Sequence, residues 1–223
     1  DISNRFYVVL FGASSAFSVG KENGYDLLQL PKGPDGEIDL QNIVETFAHE
    51  MHHSGFLNCT DQHMSEVKNK ERIMLPGILA AEGMPTHFIN RVKENLHLLK
   101  SNPNEFSRQL ASQWEQNLFR LPELYQEAEK DIELNMKGEI GQKEIFEKWV
   151  SGLQGAAYVL GSDMFSVIER YLGLEEAKNV ARDYRVLLSV YNAAAEKARA
   201  AGENLFMFDK EQVRELETFT GND

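Results

Sequence analysis

The sequence predicts an α+β fold in which a small N-terminal antiparallel sheet feeds into a mostly helical body. Three observations carry this. Short β-branched and aromatic runs separated by tight turns fill residues 1–38. From Asp39 onward, apolar residues recur with helical spacing and helix-boundary signals follow one another. The chain has 223 residues, 42% hydrophobic and 26% charged, which is enough to build a buried core and close to globular averages.

Phe6-Tyr7-Val8-Val9-Leu10-Phe11 is the first strand, broken by Gly12-Ala13-Ser14-Ser15. Ala16 to Val19 is the second. Gly20 to Gly24 reads as a turn, and Tyr25 to Leu30 as a third strand before the Pro31–Gly36 punctuation. Close succession with tight turns predicts an antiparallel meander. Asp39 is placed to cap a helix running to about Ser54, with Gly55 ending it. A polar loop is expected around Cys59 to Lys70. Pro76 opens a second helix that is interrupted at Gly83 and Pro85 and continues to about Leu99. Further helices are expected at 104–119, 122–136, 142–154, 156–171, 174–200 and 209–217. Trp114 and Trp149, with Phe119, Tyr125 and Phe146, read as packing anchors. The whole chain, 1–223, reads as one domain: residues 1–58 form the sheet and a first helix, and 59–223 a helical lobe.

Charge and composition exclude several classes. Lys and Arg number 23 against 35 Asp and Glu, a net charge of −12, so nucleic acid is a poor partner on electrostatic grounds. The longest apolar run falls far short of the ~20 residues of a membrane span. A single cysteine, Cys59, excludes an internal disulfide and a cysteine-rich zinc ribbon, and leaves the compartment open between the cytosol and export from a bacterium. The chain opens on Asp1 rather than Met, as in a trimmed or mature form whose signal peptide, had it one, is already removed.

The chemistry concentrates in His49-Glu50-Met51-His52-His53. On a helix, residues four apart differ by about 40° and one turn, so His49 and His53 point the same way and can share one metal ion. Glu50 sits beside them without ligating. Ile43, Val44, Phe47, Ala48 and Met51 form an apolar face opposite the two histidines, predicting a helix packed on the core by that face with its metal face turned to a cleft. A catalytic zinc site wants a third protein ligand and an open position. Asp61, His63, Glu66, Glu82 and His87 are candidates. Glu82 is preferred: it lies in the apolar run Gly77-Ile78-Leu79-Ala80-Ala81-Glu82-Gly83, where an unpaired carboxylate is costly, and Gly83 permits close approach of another helix.

These residues resemble zinc metallopeptidases of the gluzincin type, whose third ligand is a glutamate on a helix after His-Glu-x-x-His, and among them uncharacterised bacterial zinc-dependent peptidases of about this size. The matching pieces are Phe11-Gly12 through Val19-Gly20 to Tyr25-Asp26-Leu27, His49 to His53, Glu82-Gly83, Tyr158-Val159-Leu160-Gly161 and Tyr191-Asn192-Ala193-Ala194. Pro85 departs from the Glu-Gly-x-Ala common in such families. The resemblance implies a zincin-like fold with one Zn2+ per chain on His49, His53 and Glu82. It implies a peptide or protein substrate, Glu50 as general base, and Tyr158 as the donor to the oxyanion, with His87 and Tyr191 as alternates. The strand from Ala16 to Val19 would then line the cleft and pair with an extended substrate. Two rival readings compete: a carboxylate-bridged di-iron protein using Glu50-x-x-His53 and Glu94-x-x-His97, in which His49 is idle, and a peptidase-like module that binds without cleaving.

Overall fold

The computed structural model describes residues 5–10, 16–19, 22–26, 31–33, 35–102, 105–153 and 155–221. The expected break at Gly12–Ser15, Gly20, Leu27–Leu30 of the third strand and Pro34 lie outside them. Three strands form one sheet: β1 (Arg5–Val9), β2 (Ala16–Val19) and β3 (Glu22–Asp26). Their order is β1-β3-β2, with β2 antiparallel and β1 parallel to β3, so the sheet is mixed and the expected meander is not formed. The third strand also starts earlier than expected. Gly24, read as a turn residue, sits mid-strand opposite Phe17, and a Cβ on it would lie 2.1 Å from the Phe17 ring. The glycine is there to let that ring cross the central strand.

Helix α1 spans Leu40–His63, and Asp39 caps it by accepting from the Asn42 N–H at 3.0 Å. Gly55 does not end it; a lone glycine costs about 1 kcal/mol in a helix, too little to stop one with packed neighbours on both sides. The loop expected from Cys59 is therefore helical through His63. Helix α2 follows at Met74–Pro85, then a π-helical turn at Thr86–Asn90, and α3 at Val92–Ser101. The expected interruption thus falls just after Pro85, and it ends on Arg91 in the left-handed region (φ 46°). Downstream come α4 (Glu105–Phe119), α5 (Leu121–Met136), α6 (Gln142–Trp149) and α7 (Ala156–Leu172). The long helix expected at 174–200 is split into α8 (Leu174–Arg182) and α9 (Leu187–Ala200) by a 3-10 turn, in which the Asp183 carboxylate accepts from the Arg185 N–H. Helix α10 is Lys210–Glu217. No helix among the described residues is long and apolar enough to cross a membrane.

The core is built on α2, α7 and α9, where Leu75, Leu79, Phe165, Leu188 and Tyr191 are buried. Trp114, Trp149 and Tyr125 are buried as expected, and Trp149 donates its indole N–H to Asp131 at 2.8 Å. Phe119 and Phe146 are exposed instead. Cys59 is half-buried and free.

Helices α2 and α7 cross at two glycines. A Cβ on Gly83 would lie 2.3 Å from the Gly161 carbonyl carbon, and one on Gly161 would lie 2.4 Å from the Leu79 oxygen. Only paired glycines allow backbone contact this close. The crossing brings Glu82, beside Gly83, next to Tyr158, three residues before Gly161.

Helix α1 turns its histidine face to a cleft as expected, and packs Phe47 of its apolar face on the sheet, but that face is only partly covered: Ile43, Phe47 and Ala48 are half-buried. The apolar face read as core-facing leaves Val44 61% and Met51 46% exposed, while the histidine face turns inward toward α2. Phe47 alone of that face finds a ring, stacking on Tyr25 of β3 at 5.1 Å. The two imidazoles can be half-buried because polar partners await them on α2 and the π-turn.

Candidate metal centre

Three donor side chains meet where α1 passes α2. His49 Nε2 lies 3.4 Å and His53 Nε2 3.5 Å from Glu82 Oε2, and the donor atoms of all three fall within 4.8 Å of one another. A tetrahedral zinc with bonds of about 2.1 Å sets its ligand atoms about 3.4 Å apart, so both imidazole-to-carboxylate separations match. Among the described residues this is the one group of three such donors close enough to hold an ion.

Hydrogen bonding says how the donors are aimed. His49 Nδ1 is 2.6 Å from Asn90 Oδ1. With the Nδ1–H donated to that carbonyl, the Nε2 lone pair points at the Glu82 carboxylate, which is also an acceptor. Two lone pairs facing each other at 3.4 Å require a positive charge between them, whether a proton or a metal ion. The donor set therefore fits zinc: two imidazoles and a carboxylate, with one imidazole oriented from behind.

Charges in the site follow from its burial. Burial pushes His49 down, but Glu82 and Asn90 more than offset this and its pKa is raised. Burial also lowers His53, against the pull of Glu82 and with added repulsion from His49. Glu82 is raised by burial, yet the bonds and charges of His49 and His53 and a hydrogen bond from the Tyr158 hydroxyl bring it below the usual carboxylate value. Glu50 is pushed up to about 7, chiefly by burial, with Glu82 adding to the rise and His49 opposing it. Burial and the charge of Glu82 raise Tyr158 well above an ordinary tyrosine.

The remaining candidates are placed elsewhere. His87 is 2.8 Å from Glu169, and Tyr191 stacks on Tyr125 in the core at 5.3 Å. Asp61 pairs with Lys70 at 3.6 Å, and His63 caps back onto the Cys59 carbonyl at 2.8 Å. Glu94 and His97 are exposed on α3, with His97 bonded to the Glu94 carbonyl, so that Glu-x-x-His pair does not join Glu50 and His53. Asn90 is the residue that sequence reasoning misses: it lies 41 positions from His49 and arrives only through the π-turn. His52 is half-buried beside Phe56, lowered to about 3 by burial and by its histidine neighbours, with no partner for Nδ1 among the described residues.

A cleft of about 740 Å³ opens over the centre, with His49, Glu50, His53, Glu82 and Tyr158 in its wall and Ala16 and Phe17 of β2 along one side. Fold and site together define a mainly helical protein with a group of three donors, placed so that it could hold a metal ion, in the wall of a cleft. The chain belongs to the family described as "Putative zinc dependent peptidase (DUF5700)", whose model matches residues 1–200. No curated protein and no solved structure matches the chain.

Proposed function

We propose that the protein is a zinc-dependent peptidase of the gluzincin type, with His49, His53 and Glu82 as the ligands of one Zn2+ per chain. The observation that carries this is the convergence of three lone-pair donors in a cleft wall with a fourth group, the Glu50 carboxyl, beside them and not among them. Bound zinc would lower the pKa of water and polarise the scissile carbonyl.

The chain's own residues supply the rest. Glu50, whose hold on a proton burial strengthens in the metal-free site, takes the proton from the attacking water and passes it to the leaving amine. Its neighbour His49 is kept in one tautomer and orientation by Asn90. Tyr158, bonded to Glu82 in the free site, has its hydroxyl at the cleft wall, where it can turn to donate to the developing oxyanion. Strand β2 along the cleft suits an extended peptide.

The test is cleavage of a peptide mixture by the zinc-loaded protein, beside Glu50→Gln. The wild type should cleave, and the variant should retain zinc and lose about a hundredfold or more in kcat. Equal cleavage by both would overturn the assigned mechanism. Zinc binding without cleavage by either would favour a binding module.

A further inference from the structure

The cleft continues away from the metal centre as a groove between α1 and α2. Its course follows from helix geometry. On α1, His53 is succeeded on the same face by Phe56 and Thr60; on α2, Glu82 is preceded by Ile78 and Met74. At 1.5 Å per residue these paths run about 10–12 Å from the ligands.

Nothing charged lies on either path. From Ser54 to Thr60, and from Met74 to Ala81, every residue is neutral. Charge resumes at the far end, where Lys70 and Asp61 pair at 3.6 Å and Glu71 also lines the cleft. The inner wall is aromatic and aliphatic: Phe56 stacks on Tyr184 at 6.3 Å, and Ile78 is half-buried beside them. Gly77 leaves space for the Tyr184 ring, since a Cβ there would already lie 3.3 Å from it. At the mouth, Phe17, Leu57 and Phe146 are between 38% and 49% exposed. Large apolar side chains left open around a polar centre mark a surface built to be covered.

We infer that this groove receives a bulky apolar side chain, of the leucine, methionine or phenylalanine kind, from the substrate residue next to the scissile bond, and that Ile78, Phe56 and Tyr184 set this preference. The inference rests on the peptidase reading for the identity of its occupant. An apolar side chain entering the groove is withdrawn from water against apolar walls. A charged one loses its hydration and meets no partner before Asp61, Lys70 and Glu71 at the far end.

The experiment is calorimetric titration of the zinc-loaded protein with a series of peptide hydroxamates that chelate the metal and differ only in the adjacent side chain: glycine, leucine, phenylalanine, aspartate or lysine. Leucine and phenylalanine compounds should bind about ten- to a hundredfold tighter than the glycine compound, and the aspartate and lysine compounds no tighter than glycine. Ile78→Glu should invert the leucine-to-lysine order. Should that variant fold poorly, Ile78→Ala should cut the leucine preference about threefold or more. Equal affinity across the series, an order indifferent to both Ile78 variants, or no binding by any compound would overturn the inference. Hydrolysis is scored separately. Ranked binding with no peptide cleaved would sink the peptidase reading and leave the groove; cleavage without ranking would do the reverse.

Discussion

Replacing Gly83 by alanine puts a methyl group where the Gly161 backbone already is. The new Cβ would lie 2.3 Å from the Gly161 carbonyl carbon and 2.5 Å from its Cα. Neither atom is the end of a flexible side chain, so relief requires α2 and α7 to part by about 1.1 Å to reach an ordinary 3.4 Å contact. Alanine recovers about 1 kcal/mol of helix propensity. Overpacking of this kind costs about 1–3 kcal/mol, and more where backbone must move. A net loss of up to about 2 kcal/mol in denaturant unfolding of the metal-free protein is expected. The functional loss should exceed the stability loss. Glu82 is the neighbour of Gly83, and zinc sites tolerate only about ±0.2 Å in ligand position. Zinc affinity, read by competition with a chromophoric chelator, should fall about tenfold or more. Gly77→Ala is the graded comparison, since it meets only the Tyr184 ring at 3.3 Å. If Gly83→Ala unfolds and binds zinc like the wild type, the glycine crossing does not position the centre and the reasoning is refuted.

Two further predictions follow from the site. Asn90→Ala removes the acceptor behind His49 and should weaken zinc binding about 10- to 100-fold while leaving the helical circular dichroism unchanged; unchanged affinity would show that His49 needs no such orientation. Glu50, raised to about 7 in the fold, binds its proton more tightly there than in the unfolded chain, where the ordinary value is 4.5. Its contribution to stability is therefore fully present below about pH 4.5 and is lost as pH rises through 7. Metal-free Glu50→Gln, which carries no charge to bury, should be more stable than wild type at pH 8 by at most about 3 kcal/mol, with the gap closing at pH 4.5. A gap that does not change with pH in denaturant melts would contradict this.

What could be read from the sequence was set by local periodicity and by single residues whose presence is costly. His49 and His53 share a helix face by spacing alone, and Glu82 is marked by its apolar surroundings. Gly83 signals close approach of another helix, though not that the partner is Gly161. Features that depend on distant packing were not readable. Strand order is one: the turn signals between the strands predict that neighbours in sequence pair, whereas β1 pairs in parallel with β3. The covering of the apolar face of α1 is another, because a hydrophobicity wheel finds that face and cannot tell how much of it a small sheet will reach. Val44 and Met51 ended outside, while Ile43, Phe47 and Ala48 of the same face are half-buried. Gly55 failed as a stop because tertiary contacts outweigh one glycine's propensity. Asn90 had no local signal; its place depends on a π-turn after Pro85 and a left-handed Arg91.

The central claim is that Glu82 completes a zinc site with His49 and His53. Its most direct test is zinc content by mass spectrometry after dialysis against a weak chelator, for the wild type, His53→Ala and Glu82→Ala. One zinc per chain in the wild type, and well under a tenth of that in each variant, is the predicted result. Full retention of zinc by Glu82→Ala would contradict the account, as would a wild type that takes up no zinc when it is supplied.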